Sequence, residues 1–223
     1  MEKLAHSYTN DTTRSGDVVT KHYRGPDAAL RLAREAAAVT ALEGRLPVAG
    51  LVRRESDRLH FAYVPGTHAK ELMSKSGTAR VLASCGRTLK RIHAVDPRGI
   101  FDNSPIPPGH TLVHGDYGPN NVLLDAETME ICAVLDWEWS RVGDPVDDLA
   151  WCEWIVRMYH AEQLAALDDF YGAYGERPSW AVRHKAMVGL CRSLVTFWEQ
   201  WRPGSEITAH RRSQLATTEN WSE

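Results

Sequence analysis

The stretch 114–136 constrains this chain more than any other. It reads His114-Gly115-Asp116-Tyr117-Gly118-Pro119-Asn120-Asn121, then Val122-Leu123-Leu124-Asp125, and after a polar link Ile131-Cys132-Ala133-Val134-Leu135-Asp136. Two apolar, strand-like runs joined by so short a polar segment predict a β-hairpin. Such a hairpin carries Asp116 and Asn121 at one end and returns Asp136 to the same end. Asp, Asn, Gly and Pro are each ordinary turn residues. Their joint spacing behind His114 is what asks for chemistry. A carboxylate five residues before an asparagine, with a second carboxylate beyond a hairpin, suits phosphoryl transfer: one Asp meets the attacking hydroxyl, while the Asn and the other Asp hold metal ions. An all-oxygen donor set fits a hard cation such as Mg²⁺.

With 223 residues the chain is long enough to bury a core as one domain or two small ones. A formal net charge of −3 leaves no basic excess, which argues against a general nucleic-acid or membrane-surface binder. No apolar run is long enough to span a membrane. The opening Met1-Glu2-Lys3-Leu4-Ala5-His6 lacks the apolar core of a signal peptide. Cys85, Cys132, Cys152 and Cys191 are scattered without paired spacing and read as buried free thiols in a reducing cytoplasm.

Upstream of the hairpin, Val18-Val19-Thr20-Lys21-His22-Tyr23 is β-branched and alternating, which predicts a strand presenting Lys21 on one face. Ser15-Gly16-Asp17 is the turn before it. The segment 7–13 is rich in Ser, Thr and Asn, and reads as a loop whose hydroxyls and N–H groups, at Ser7, Thr9 and Asn10 among others, meet an anion. A helix is expected over 28–43, started by Pro26-Asp27 and ended by Gly44. Its apolar stripe of Leu32, Val39 and Leu42 includes Glu35. A charge on an apolar face wants a partner, and Lys21 is the candidate: a strand lysine held by a helix glutamate positions nucleotide phosphates. Segments 50–54 and 58–64 predict another hairpin, with Val64-Pro65-Gly66 as the boundary between an N-terminal lobe (1–65) and a helix-rich C-terminal lobe (66–223). Backbone groups near Ala62 and Val64 would then face a purine base. Helices are expected over 78–95, 147–159, 161–174 and 179–201, and the polar tail from Arg202 is expected to fray.

These residues resemble the aminoglycoside phosphotransferase and choline kinase superfamily. The resemblance is most specific in His114-Gly115-Asp116 with Asn121, and in Leu135-Asp136-Trp137-Glu138 with Gly143-Asp144-Pro145 and Asp148-Leu149-Ala150. It implies an α+β, two-lobed protein-kinase-like fold, with a small antiparallel sheet in the first lobe and mainly helices in the second. It implies Asp116 as catalytic base, Asn121 and Asp136 as Mg²⁺ ligands, and Lys21 on the nucleotide phosphates with Glu35 as its partner. His114 would be structural, and Asp148 would brace the loop from the start of its helix.

The reaction expected is transfer of the γ-phosphoryl of ATP or GTP to a hydroxyl of a small molecule. Acidic and aromatic residues follow the motif, with Glu138, Trp139, Glu153 and Trp154 as candidate substrate contacts. Acids with aromatics suit a cationic acceptor, such as an aminoglycoside-like antibiotic, which would make the role one of antibiotic resistance. A choline, ethanolamine or sugar kinase and a catalytically silent kinase-fold binding protein are the alternatives. A monomer or dimer is expected, with a nucleoside triphosphate and an acceptor as partners.

Overall fold

The computed structural model describes residues 2–3, 9–73, 77–102 and 104–223. The first lobe is built on a five-stranded antiparallel sheet of order β1-β2-β3-β5-β4: β1 Glu2–Lys3, β2 Asp11–Ser15, β3 Val18–His22, β4 Leu51–Arg54 and β5 Arg58–Ala62. The β2–β3 turn is the expected one, with Gly16 at φ 59, a left-handed value that glycine adopts without penalty. Thr12 and Thr13, expected in a loop, lie in β2 opposite Lys21 and Thr20. Their β-branched side chains suit a strand.

Helix α1 (Ala28–Leu42) follows β3, and its stripe of Leu32, Glu35, Val39 and Leu42 is buried as its spacing predicts. The chain leaves the sheet after Ala62, adds the short β6 (Thr67–His68), and enters α2 (Thr78–His93), whose Leu82, Cys85, Leu89 and Ile92 are all inaccessible. A two-stranded pair follows from β7 (Thr111–Val113) and β10 (Arg141–Gly143). A three-stranded sheet forms from β6, β8 (Val122–Leu124) and β9 (Ile131–Val134). The predicted hairpin is therefore present as β8–β9, with Val122 opposite Val134.

The second lobe is completed by α3 (Val146–Tyr159), α4 (Leu167–Tyr174), α5 (Trp180–Trp201) and α6 (Glu206–Glu219). The stretch expected as one helix from 161 begins as a 3-10 turn, Ala161–Ala166, before α4. Gly86 of α2 lets α4 come close: a Cβ there would sit 2.2 Å from the Phe170 carbonyl oxygen. The tail expected to fray is α6, capped by the Ser205 hydroxyl. It is held through polar side chains: Trp154 donates to Thr218 Oγ1 at 2.8 Å, and His184 pairs with the Thr218 carbonyl at 2.8 Å. Apolar periodicity carried no sign of it because its buried residues are Thr208, Gln214 and Thr218.

One apolar core runs from Leu32 and Val39 of α1 through Leu82 and Leu89 of α2 to Val134, Trp137 and Phe170. A second one, around Trp151, Trp154, Met187 and Cys191, joins α3 to α5. Among the four cysteines, Cys132 is partly exposed and the rest are buried; all are free. Among the described residues, no helix is long and apolar enough to cross a membrane.

Candidate active site

Lys21 sits near the end of β3, and its ammonium crosses to α1 and to the segment after β9. It donates to Glu35 Oε2 at 2.6 Å, pairs with Asp136, and lies 3.7 Å from Glu138 Oε2. Burial opposes its charge, but Asp136, Glu138 and Glu35 together outweigh burial and hold its pKa well above the lysine range. Glu35 is fastened on both oxygens: Tyr23 also donates to Oε2, and the Trp137 backbone N–H donates to Oε1 at 3.1 Å. The strand lysine and helix glutamate that sequence brought into question are thus in contact.

Asp136 adopts φ 66 and ψ 56, a left-handed conformation that costs a non-glycine residue about 1–3 kcal/mol and persists only where the surroundings enforce it. Here the enforcing contacts are the Lys21 ion pair and the Trp137 N–H on Glu35.

The loop after β7 holds Asp116. His114 is buried, and burial pushes its imidazole pKa down. Its Nδ1 accepts the Asp116 N–H at 3.2 Å, so Nε2 carries the proton and donates to the Leu135 carbonyl at 2.9 Å. Asp148, at the start of α3, accepts the backbone N–H groups of His114 at 2.7 Å and Gly115 at 2.8 Å. Burial works to raise the Asp148 pKa, but the hydrogen bond and charge of His93, with further help from His114, hold it below the usual carboxylate range. His93 lies 3.1 Å from Asp148 and 2.9 Å from the Tyr174 hydroxyl; it buttresses the brace. Gly115, at φ +82, admits no side chain, because a Cβ would lie 2.4 Å from the Trp139 carbonyl oxygen.

Asp116 accepts Asn121 Nδ2 on Oδ2 at 2.8 Å and Trp151 Nε1 on Oδ1 at 2.6 Å. Burial first, then the Asp136 charge, pushes its pKa up to about 7. A carboxyl titrating near neutrality is suited to accept a proton in catalysis. Because the Asn121 amide donates through nitrogen, its oxygen is the atom left to ligate a cation. The cluster is rich in carboxylates: buried Glu35 and Glu138 and partly exposed Asp136 are matched by Lys21 and Arg31, with Asp116 beside them. That surplus and the oxygen donors of Asn121 and Asp136 fit a divalent hard cation.

The remaining expected residues divide. Ser7 lies outside the described residues. Thr9 and Asn10 turn their side chains inward, donating to Glu138 at 3.0 and 2.8 Å. Ala62 ends β5 where the chain passes to the second lobe, and its N–H is taken by the Gly50 carbonyl at 2.9 Å; Val64 follows in the link.

The acidic and aromatic residues expected to meet a cationic substrate are mostly buried. Glu138 is fully enclosed and pairs with Arg31 at 2.6 Å. Glu153 is enclosed by Arg183, Tyr171 and Arg157, the last at 2.8 Å. Trp154 is buried against Trp151. Only Trp139 is partly open, edge-on to Phe197 at 5.2 Å. The physical reason is that each carboxylate is met by an arginine remote in sequence, and buried charges survive by pairing.

Comparison with known proteins returns the model of the phosphotransferase enzyme family over residues 3–109 and 103–184. Among solved structures, the chain is similar to the GDP complex of wild-type aminoglycoside 2'-phosphotransferase-IIIa (12% identity, TM-score 0.75, covering 97% of this chain and 91% of that one). It is similar also to the gentamicin-APH(2")-IIa complex (13%, 0.73, 96% and 90%). A third is the macrolide 2'-phosphotransferase MphH from Brachybacterium faecium (20%, 0.64, 100% and 92%). Curated relatives match only in part. Acyl-CoA dehydrogenase family member 11 from Pongo abelii is 44% identical over 93 residues, 40% of this chain and 11% of that protein. Acyl-CoA dehydrogenase family member 10 from Mus musculus is 51% identical over 41 residues, 18% of this chain and 4% of that protein. The matched stretches thus span about a tenth or less of those relatives.

Proposed function

This chain belongs to the phosphotransferase enzyme family, and from that premise we propose that it transfers the γ-phosphoryl group of ATP or GTP to a hydroxyl of a small molecule. The observation that carries the reading is the single cluster formed by Lys21, Glu35 and Asp136 beside the Asp116–Asn121 pair. Lys21, held by Glu35, meets the nucleotide phosphates. The segment around Thr9 and Asn10 adds to that contact, and the link after Ala62, at Val64, reads the base. Asp116 orients the acceptor hydroxyl and takes its proton as the oxygen–phosphorus bond forms. The bond from γ-phosphorus to the bridging oxygen breaks, and the nucleoside diphosphate leaves with that electron pair. Asn121 and Asp136 would hold Mg²⁺, which when bound supplies charge neutralisation on the phosphates. Positioning and preorganised charge account for the rate, with little covalent work left to the protein.

Support for an amine-bearing antibiotic as acceptor, and so for a role in resistance, comes from the fold neighbours named with gentamicin and as a macrolide phosphotransferase. Buried Glu138, Glu153 and Trp154 give it no added support, so the acceptor side is assigned to Asp116 and the partly open Trp139. The test is a coupled assay with MgATP and MgGTP against aminoglycosides, macrolides, choline and small sugars. Nucleoside diphosphate released faster with one of these hydroxyl acceptors than with water alone, together with a phosphorylated product by mass, is the expected result. Absence of transfer across the whole panel would contradict it.

A further inference from the structure

The two carboxylate oxygens of Asp116 are held from different parts of the fold. Asn121, in the same loop, donates to Oδ2 at 2.8 Å, and Trp151, one turn into α3, donates its indole N–H to Oδ1 at 2.6 Å. A carboxylate turns about its Cβ–Cγ bond over a broad, nearly two-fold torsion. One donor leaves it free to swing, whereas two donors on opposite oxygens fix its plane. Each oxygen accepts more than one hydrogen bond, so capacity remains for an incoming hydroxyl.

We propose that Trp151 is a positioning residue of the phosphotransfer reaction, its indole N–H aiming the Asp116 carboxylate at the acceptor hydroxyl. The proposal rests on the reading of Asp116 as the base. Tryptophan suits the task because its nitrogen is a donor only and cannot compete for the proton. It is also firmly seated. Its ring stacks on Trp154 at 4.4 Å and 4°, and Trp154 in turn donates to Thr218 of α6 at 2.8 Å. Met187 and Cys191 of α5 close the same core. The helix register explains the placement. Asp148 and Trp151 are three residues apart, so one face of α3 holds the backbone of His114 and Gly115 and also reaches the Asp116 side chain. Through Trp154, the polar α6 is coupled to the base.

The test replaces Trp151 with benzothienylalanine, an isostere carrying sulfur where the indole N–H was, beside Trp151→Phe and Asp116→Asn. Turnover is read with water as acceptor, as MgATP and MgGTP hydrolysis, and with any acceptor active in the panel assay. In the isostere kcat is expected to fall about ten- to hundredfold, as for a displaced catalytic group. Its nucleotide KM and thermal midpoint stay within error, a split that lost packing alone would not give. In the wild type, the indole N–H proton resonance assigned to Trp151 shifts on Asp116→Asn. Wild-type kcat in the isostere, with Asp116→Asn inactive, would overturn this proposal alone. Wild-type turnover in Asp116→Asn would overturn the base reading as well.

Discussion

Two buried clusters, each centred on one arginine–glutamate pair, serve different ends. In the first, Arg31 of α1 meets Glu138 at 2.6 Å, and the same carboxylate accepts Thr9 and Asn10 and lies 3.7 Å from Lys21. In the second, Arg183 of α5 meets Glu153 of α3, which also accepts Tyr171 and Arg157, while Arg183 reaches Glu223 at 2.6 Å. Both glutamates are fully enclosed. The first cluster ties Thr9 and Asn10 to the segment that carries Asp136; the second ties helices to one another. Burial and pairing alone therefore do not mark a functional carboxylate. What distinguishes Glu138 is that its neighbours include the lysine of the site.

The comparison can be broken by removing each glutamate. Glu138→Ala and Glu153→Ala each take the buried carboxylate away from a buried arginine, and each should cost about 3–5 kcal/mol of stability, read from urea unfolding. Only Glu138→Ala should also lower kcat/KM of the remaining folded enzyme, by about a hundredfold. Equal activity losses in the two variants would erase the distinction. A packing defect confined to the helical lobe sharpens it: Gly86→Ala sets a methyl against the Phe170 carbonyl and should cost about 1–3 kcal/mol, with kcat unchanged in the folded fraction.

The clusters should also fail at opposite ends of the pH scale. Burial works to raise the Glu153 pKa, but hydrogen bonds from Tyr171, Arg183 and Arg157 bring it below the usual value of 4.5. Its contribution is fully present above that unfolded value and is lost as pH falls through the lower folded one. Lys21 is the reverse case. Its folded pKa lies well above 10.5, so its contribution is present below 10.5 and lost only as pH rises through the folded value. Urea midpoints from pH 3 to 6 should fall on acidification, with a shallower fall in Glu153→Gln, while Lys21→Met leaves that acid limb in place. The smallest effect is expected at the C-terminus. Ser205→Ala removes the α6 cap, at a cost of about 1 kcal/mol, visible as a lower thermal midpoint.

Much of the candidate active site beside the first cluster was legible in the amino-acid sequence because its residues announce themselves through local rules. Lys21 sits in an alternating strand, Glu35 lies on an apolar helical stripe, and Asp116, Asn121 and Asp136 flank a hairpin. The helical wall was less legible because it depends on partners far apart in the chain. Nothing near Glu153 names Arg183, 30 residues on, and α6 buries threonines and a glutamine where apolar periodicity has nothing to detect. Acids and tryptophans adjacent in sequence looked like a ligand surface until each found an arginine or another ring. Trp151 carried one usable signal: it stands one helical turn after Asp148, the residue expected to brace the same loop.

In the proposed reaction Asp116 is the base, and Lys21, Glu35 and Asp136 hold the nucleotide. The most direct measurement sets turnover of Asp116→Asn, in the coupled assay, beside its MgATP and MgGTP affinity by calorimetry. Turnover should fall by at least about a thousandfold while nucleotide affinity changes little. Turnover at the wild-type rate in that variant would contradict it.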